Sequence, residues 1–182
     1  MQKNNSPFSL LIILLLIIQG ISSFAQDSSF NSYTSINKIT VGRLISDRVT
    51  SSFVNPSVVL EKDFNSINFT PGIKYKGVVP NNIVTKKLLL KFNIRNATDT
   101  INSIYFFPGF YYTNIQLFRL NGTSLVKIPN LLPDNSDSIG YRLITLNPFD
   151  SATIIAELSF LKTYINSIRP RLVNINHLNS FI

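Results

Sequence analysis

Residues 86–120 read KKLLLKFNIRNATDTINSIYFFPGFYYTNIQLFRL, and this stretch decides the fold. Its first half alternates: Leu88, Leu90, Phe92 and Ile94 fall on one side of an extended chain, and Lys87, Lys91, Asn93 and Arg95 on the other. A period of two with one apolar side is the pattern of a half-buried strand. Turn formers follow at Asn96 to Thr100. A second apolar run, Ile101 to Phe107, is closed by Pro108-Gly109, and a third, Ile115 to Leu120, stops at Asn121-Gly122. Three strands divided by turn chemistry predict an antiparallel meander.

The same alternation continues outward on both sides. Upstream, strands are expected at Lys38 to Ile45, at Thr50 to Leu60 with a break at Asn55-Pro56, at Phe64 to Phe69 and at Ile73 to Val79, with Pro71-Gly72 and Pro80-Asn81-Asn82 as turns. Downstream, Pro129 to Gly140 reads as a polar loop and Tyr141 to Leu146 as a strand. Thr153 to Leu161 reads as a strand with Ile154, Ala156, Leu158 and Phe160 inward, and Leu172 to Ile175 as the last apolar run. Helix formers are scarce, with four Ala and two Glu in 182 residues, whereas Ile, Phe, Tyr, Thr, Asn and Ser abound. The expected fold class is therefore all-β, an antiparallel β-sandwich of jelly-roll type.

The first 25 residues stand apart from this pattern. Lys3 supplies a short positive region, Phe8 to Ile18 an apolar run, and Ser23-Phe24-Ala25 a small-residue cleavage site, so residues 1–25 read as a secretory signal peptide. Residues 26–37 read as a loose N-terminal segment and 38–182 as the sandwich domain of an exported protein. The chain has no cysteine, so packing rather than disulfides must hold it together. With no cysteine and one histidine, His177, the usual zinc sites and Cys/His nucleophiles are excluded. Without Lys3, sixteen Lys and Arg face nine Asp and Glu, an excess of seven. In an exported protein that surplus favours anionic surfaces or glycans over nucleic acid, or else marks solvated strand edges.

Residues 88–122 carry a resemblance. Leu90, Lys91, Phe92, Ile94 and Asn96, then Pro108, then Ile115, Leu117 and Phe118 are similar to the core of the type 2 extracellular domain of bacterial seven-transmembrane receptors with diverse intracellular signalling modules. Ser66 to Pro71 resembles the strand before that core, and Thr153 to Leu161 with Arg169-Pro170-Arg171-Leu172 its closing strands, so the likeness spans roughly Ile39 to Ile175. Where the family places a Trp this chain has Leu89, and it has no Trp anywhere. The resemblance implies a carbohydrate-binding-like jelly roll and a periplasmic location. It also implies the role of a ligand-sensing input domain, whose membrane helices and signalling output lie beyond residue 182. No cofactor is implied, and homodimer pairing is left open. A freestanding secreted carbohydrate-binding or adhesive sandwich is the other expectation.

The carboxylates bear on chemistry, since an exported sandwich can be a glycosidase using two of them. Glu61 and Asp63 share one strand face in this reading, and Asp134-Asn135-Ser136-Asp137 has the spacing of a calcium loop but lacks its Gly and distal Glu. No nucleophile elbow and no phosphate-binding glycine loop is present, so no catalytic residue and no metal ligand is assigned. The binding candidate is Phe110-Tyr111-Tyr112, because three consecutive aromatics cannot all enter a core. Either they stack on a small-molecule or glycan ligand, through Tyr111 and Tyr112 as the exposed rings, or they cap the sandwich end. Lys91 and Arg142, both read on outward strand phases, are the charged residues expected to assist.

Overall fold

The structure, a computed structural model, describes residues 30, 32–132, 140–161 and 166–181. The signal-peptide reading and the Asp134 to Asp137 motif lie outside these residues. Among the described residues no helix is long and apolar enough to cross a membrane.

The chain forms an all-β sandwich. Among the described residues eleven strands run β1 (Thr34–Ser35), β2 (Gly42–Leu44), β3 (Thr50–Val54), β4 (Thr70–Pro71), β5 (Lys87–Arg95), β6 (Asn102–Phe110), β7 (Tyr112–Asn121), β8 (Ser124–Lys127), β9 (Arg142–Leu146), β10 (Ser151–Phe160) and β11 (Ser167–Asn174). One sheet has the order β4-β3-β5-β10-β7-β8, and the other β2-β11-β6-β9. All pairings are antiparallel except that of β1, which runs parallel to the end of β5 and ties Thr34 and Ser35 to Ile94 and Arg95. Thr34, Ser35 and Ile36 are buried, so the end of the 26–37 stretch is fastened to the sheet.

The strands of residues 86–120 exist, but they are not a meander. β5 and β7 are both in the first sheet with β10 between them, while β6 lies in the second. Turn residues at 96–101 and 108–111 report that the chain changes direction; they do not report which sheet receives the next strand. The first crossing is a corner built on Asn96. Its Nδ2 donates to the carbonyls of Thr100 (2.6 Å) and Asn147 (2.8 Å), and its Oδ1 accepts from Thr98 Oγ1 (2.8 Å) and Asn37 Nδ2 (3.0 Å). Three loops are thereby joined through one buried amide, which leaves none of its polar capacity unpaired.

The core lies between the sheets. Leu88, Leu90, Phe92 and Ile94 of β5 are buried as their alternation requires, beside Ile154, Ala156, Leu158 and Phe160 of β10, and face Ile104, Phe106, Ile144 and Leu172 of the other sheet. Phe92 and Phe106 stack across the gap at 5.1 Å and 18°. A second cluster covers the outer face of the first sheet, where Leu89, Phe118 and Ile155 meet Leu60 of the short helix α1 (Leu60–Asp63) with Phe64, Ile67 and Phe69 beside them. The Leu89 position is thus packed by neighbouring apolar groups.

This cover explains two departures from the sequence reading. Phe64 to Phe69 is a 3-10 turn and irregular chain, because Ile67 and Phe69 are drawn onto the exposed apolar face of the sheet. Glu61 and Asp63 lie on α1 rather than on one strand face, and the Asp63 carboxylate accepts from the Val59 amide at 2.9 Å, capping the helix start. Ile73 to Val79 is likewise irregular: Ile73 and Val79 enter the core one at a time between Pro71-Gly72 and Pro80, before the short helix α2 (Asn81–Val84).

At the edge near the Asn96 corner, Arg119 of β7 grips Asp150 with both fork nitrogens, at 2.8 and 2.7 Å. The hydrogen bonds from Arg119 hold the Asp150 carboxyl below its usual range, outweighing the opposing effect of burial. A carboxyl depressed in the fold contributes stability that is complete above its unfolded pKa of about 4 and is lost as pH falls through the folded value. Asp150→Asn is therefore expected to lower stability by about 1–2 kcal/mol near neutral pH. Urea midpoints for the two proteins should converge on acidification, and a gap unchanged down to about pH 2 would show the ion pair to be irrelevant.

Candidate binding site at the open end of the sandwich

The second crossing, from β6 to β7, is made by one residue. β6 ends at Phe110 and β7 begins at Tyr112, so Tyr111 alone turns the chain from one sheet to the other, at φ 67°. A side chain in the left-handed region is strained, and the position is fixed by its surroundings: the Leu161 amide donates to the Tyr111 carbonyl at 2.9 Å.

Just before this corner β6 and β11 lose register. Phe107 pairs with Arg171 and Gly109 with Ile168, which leaves Pro108 opposite Arg169-Pro170. Neither proline can donate to a ladder, so a bulge is where a sheet accommodates them. β6 consequently runs through Pro108-Gly109 instead of stopping there. Gly109 is at φ 125°, and a Cβ on it would overlap the Ser167 carbonyl oxygen.

Beside the corner lies a cavity of about 380 Å³, walled by Phe107, Phe110, Tyr111, Tyr112, Tyr141 and Phe181, with Thr113, Asn114 and Arg142 supplying polar groups. Phe107 stacks on Tyr141 at 4.6 Å, and Phe110 meets Phe107 edge-on at 5.1 Å. The Tyr141 hydroxyl donates to the Phe181 carbonyl at 3.3 Å, and burial raises its pKa against the pull of Arg171's positive charge. Flat aromatic faces beside hydroxyl, amide and guanidinium groups can stack on an apolar ring face while hydrogen-bonding its edge.

Four of the five residues singled out from sequence line this cavity, with different exposures. Phe110 and Tyr111 are 59% and 52% exposed. Tyr112, read as exposed with Tyr111, packs instead against Phe160 at 5.5 Å and the main core, and burial pushes its phenol well above the ordinary range. A β-bulge is the cause: Asn114 pairs with Ser159 and Tyr112 with Phe160, so Thr113 is the extra residue and Tyr112 is turned inward. Arg142, read on an outward phase, is 8% exposed and shares the inner phase of Ile144 and Leu146. Its Nε donates to the Ile115 carbonyl of the opposite sheet at 3.1 Å and its Nη1 to the Tyr141 carbonyl at 2.9 Å; burial lowers its pKa.

Lys91 is elsewhere. It lies on the outer face of β5 with Nζ 5.6 Å from the Phe69 ring centroid, in a separate cavity of about 230 Å³. Sequence reasoning missed Phe107, Tyr141 and Phe181, which reach the cavity from β6, from the residue before β9 and from the end of the C-terminal 3-10 turn. No local motif joins them. Among the described residues no three His, Asp or Glu side chains come together at a site for a metal ion. No protein-family model matches the chain, and no curated protein matches it in sequence.

Proposed function

We propose that this chain is the ligand-sensing input domain of a bacterial membrane receptor, exported to the periplasm, and that it takes a small molecule or glycan in the cavity beside Tyr111. The observation that carries this reading is the aromatic-walled cavity beside the β6–β7 corner, with Phe110 and Tyr111 in its lining and each more than half exposed. A large ring held out by a strained backbone corner is a costly arrangement that a purely structural cap does not require. The resemblance over residues 88–122 supports the receptor role. The connections β5–β6, β6–β7, β8–β9, β9–β10 and β10–β11, each passing from one sheet to the other, support the jelly-roll type. The domain acts by binding and not by catalysis, and its signalling output lies in another part of the receptor.

The test is a glycan and metabolite screen on the purified chain, followed by calorimetry of any hit. Phe110→Ala with Tyr111→Gly removes both faces and leaves the corner in a conformation glycine favours. The pair is expected to weaken binding by about 1–3 kcal/mol, roughly tenfold to a hundredfold, with an unchanged circular dichroism spectrum. Equal affinities in two folded proteins would place the ligand elsewhere. An open reading frame continuing past residue 182 into seven hydrophobic segments favours the receptor over a freestanding secreted sandwich, and a stop codon there sinks it.

A further inference from the structure

The cavity beside Tyr111 is graded in polarity from its floor to its rim. Phe107, Ile115 and Tyr141 are its buried members and present two rings and an aliphatic chain, whereas Thr113 and Asn114 are exposed and stand at the rim. The hydroxyl hydrogens of the inner lining are committed to main chain. Those of Tyr112 and Thr113 go to the carbonyls of Ser167 (3.4 Å) and Ser159 (3.2 Å), as that of Tyr141 goes to Phe181. Arg142 is engaged within the protein through its Nε, its Nη1 and a further interaction, so its guanidinium does not await a ligand. None of the described lining residues is Asp or Glu.

A ligand charge of either sign therefore meets no uncommitted counter-charge among the described lining residues, and burying a charge unpaired is costly. A sugar ring carries hydroxyls around its whole edge, and each one turned to the Phe107–Tyr141 floor would go unmet, at a loss of about tenfold or more in affinity. A flat aromatic ring has no such edge. It can stack on these walls or meet them edge-on, as Phe107, Phe110 and Tyr141 do among themselves, and a single polar group on it can reach Thr113 or Asn114 at the rim. The cavity volume lies within the range of about 300–1,000 Å³ usual for small-molecule sites. We infer that the ligand class of this cavity is a neutral aromatic small molecule with one hydrogen-bonding edge, its ring against Phe110 and Tyr111 and its polar edge toward Thr113 and Asn114. The inference rests on the reading of the cavity as the ligand site and narrows that reading to a small molecule.

The experiment is calorimetry of the whole purified chain with indole, with indoleacetate and tryptamine, which keep the ring and add a negative or a positive charge, and with cellobiose. Indole is expected to bind, neither charged analogue to bind more tightly than indole, and cellobiose to bind at least about tenfold more weakly. Indole affinity should stay constant as salt rises from about 0.05 M to about 0.5 M, because no ion pair is there to be screened. Phe110→Ala with Tyr111→Gly should weaken indole binding about tenfold. If that double variant unfolds, the ranking of the probes and its salt dependence in the unmodified chain decide alone. Cellobiose bound as tightly as indole, and lost in the folded double variant, overturns the aromatic class and leaves the cavity reading standing. A charged analogue held about tenfold more tightly than indole overturns the neutral class. Indole affinity that survives the double change in a folded protein overturns the cavity as the site, and absence of indole binding overturns the aromatic class.

Discussion

Replacing Phe92 with alanine is expected to destabilise the domain by about 3–5 kcal/mol, a large part of the 5–15 kcal/mol typical of a folded domain. Phe92 sits in mid-strand and stacks on Phe106 of the opposite sheet at 5.1 Å, so truncation removes contact from both sheets at once. The gap it leaves is bounded by Leu90, Ile94 and Ile154, all on paired strands that cannot collapse inward without breaking ladder bonds. Urea unfolding should show a lower midpoint with a similar slope. An unfolding free energy within about 0.5 kcal/mol of wild type would mean that the two sheets do not meet through this pair.

Gly109→Ala is the second large effect, and its cause is the backbone. At φ 125° an L side chain is strained wherever it points, and here the added methyl would overlap the Ser167 carbonyl oxygen. Because the obstacle is main chain from the neighbouring strand, relief requires separating β6 from β11 beside the bulge. A cost of about 3 kcal/mol or more follows from strain and lost pairing together. Ligand affinity should fall with it, since Gly109 adjoins Phe110 in the cavity wall. Gly72→Ala is the control: its φ is also positive, at 76°, but nothing lies within 4 Å of an added Cβ. That substitution should cost only about 1–2 kcal/mol. Equal losses at the two glycines would show that φ alone, and not the close approach of β11, sets the cost.

Much of the fold was legible because a strand's period of two survives in local sequence. Leu88, Leu90, Phe92 and Ile94 declared their face, as did Ile154, Ala156, Leu158 and Phe160. The sheet that receives each strand was not legible, because Asn96 to Thr100 and Pro108-Gly109 specify bends and not partners. The site was half legible. Three aromatics in a row announced that something must protrude, and Phe110 and Tyr111 do. Tyr112 escaped the reading because one extra residue, Thr113, turned the phase. Arg142 was misread because its charge was weighed above its phase, although Ile144 and Leu146 at two and four residues on already placed position 142 inward. Phe181 was beyond reach: its ring enters the site through Arg171 and through Gly42, where an added Cβ would meet it at 2.5 Å, contacts that join distant parts of the chain.

The facing prolines at the bulge also divide the second sheet in time. Above them β6 and β11 are joined from Phe107–Arg171 to Ile104–Asn174, a run continuous with the core; below them only the pairs at Gly109–Ile168 and Phe110–Ser167 remain. With two amide donors missing at the junction, the lower pairs can open without disturbing the upper ones, so the rim of the cavity forms its own small cooperative unit. Amide protons of Phe110 and Ser167 should accordingly exchange with solvent orders of magnitude faster than those of Phe106 and Leu172, and they should slow when the cavity is filled, making the rim itself the reporter of occupancy.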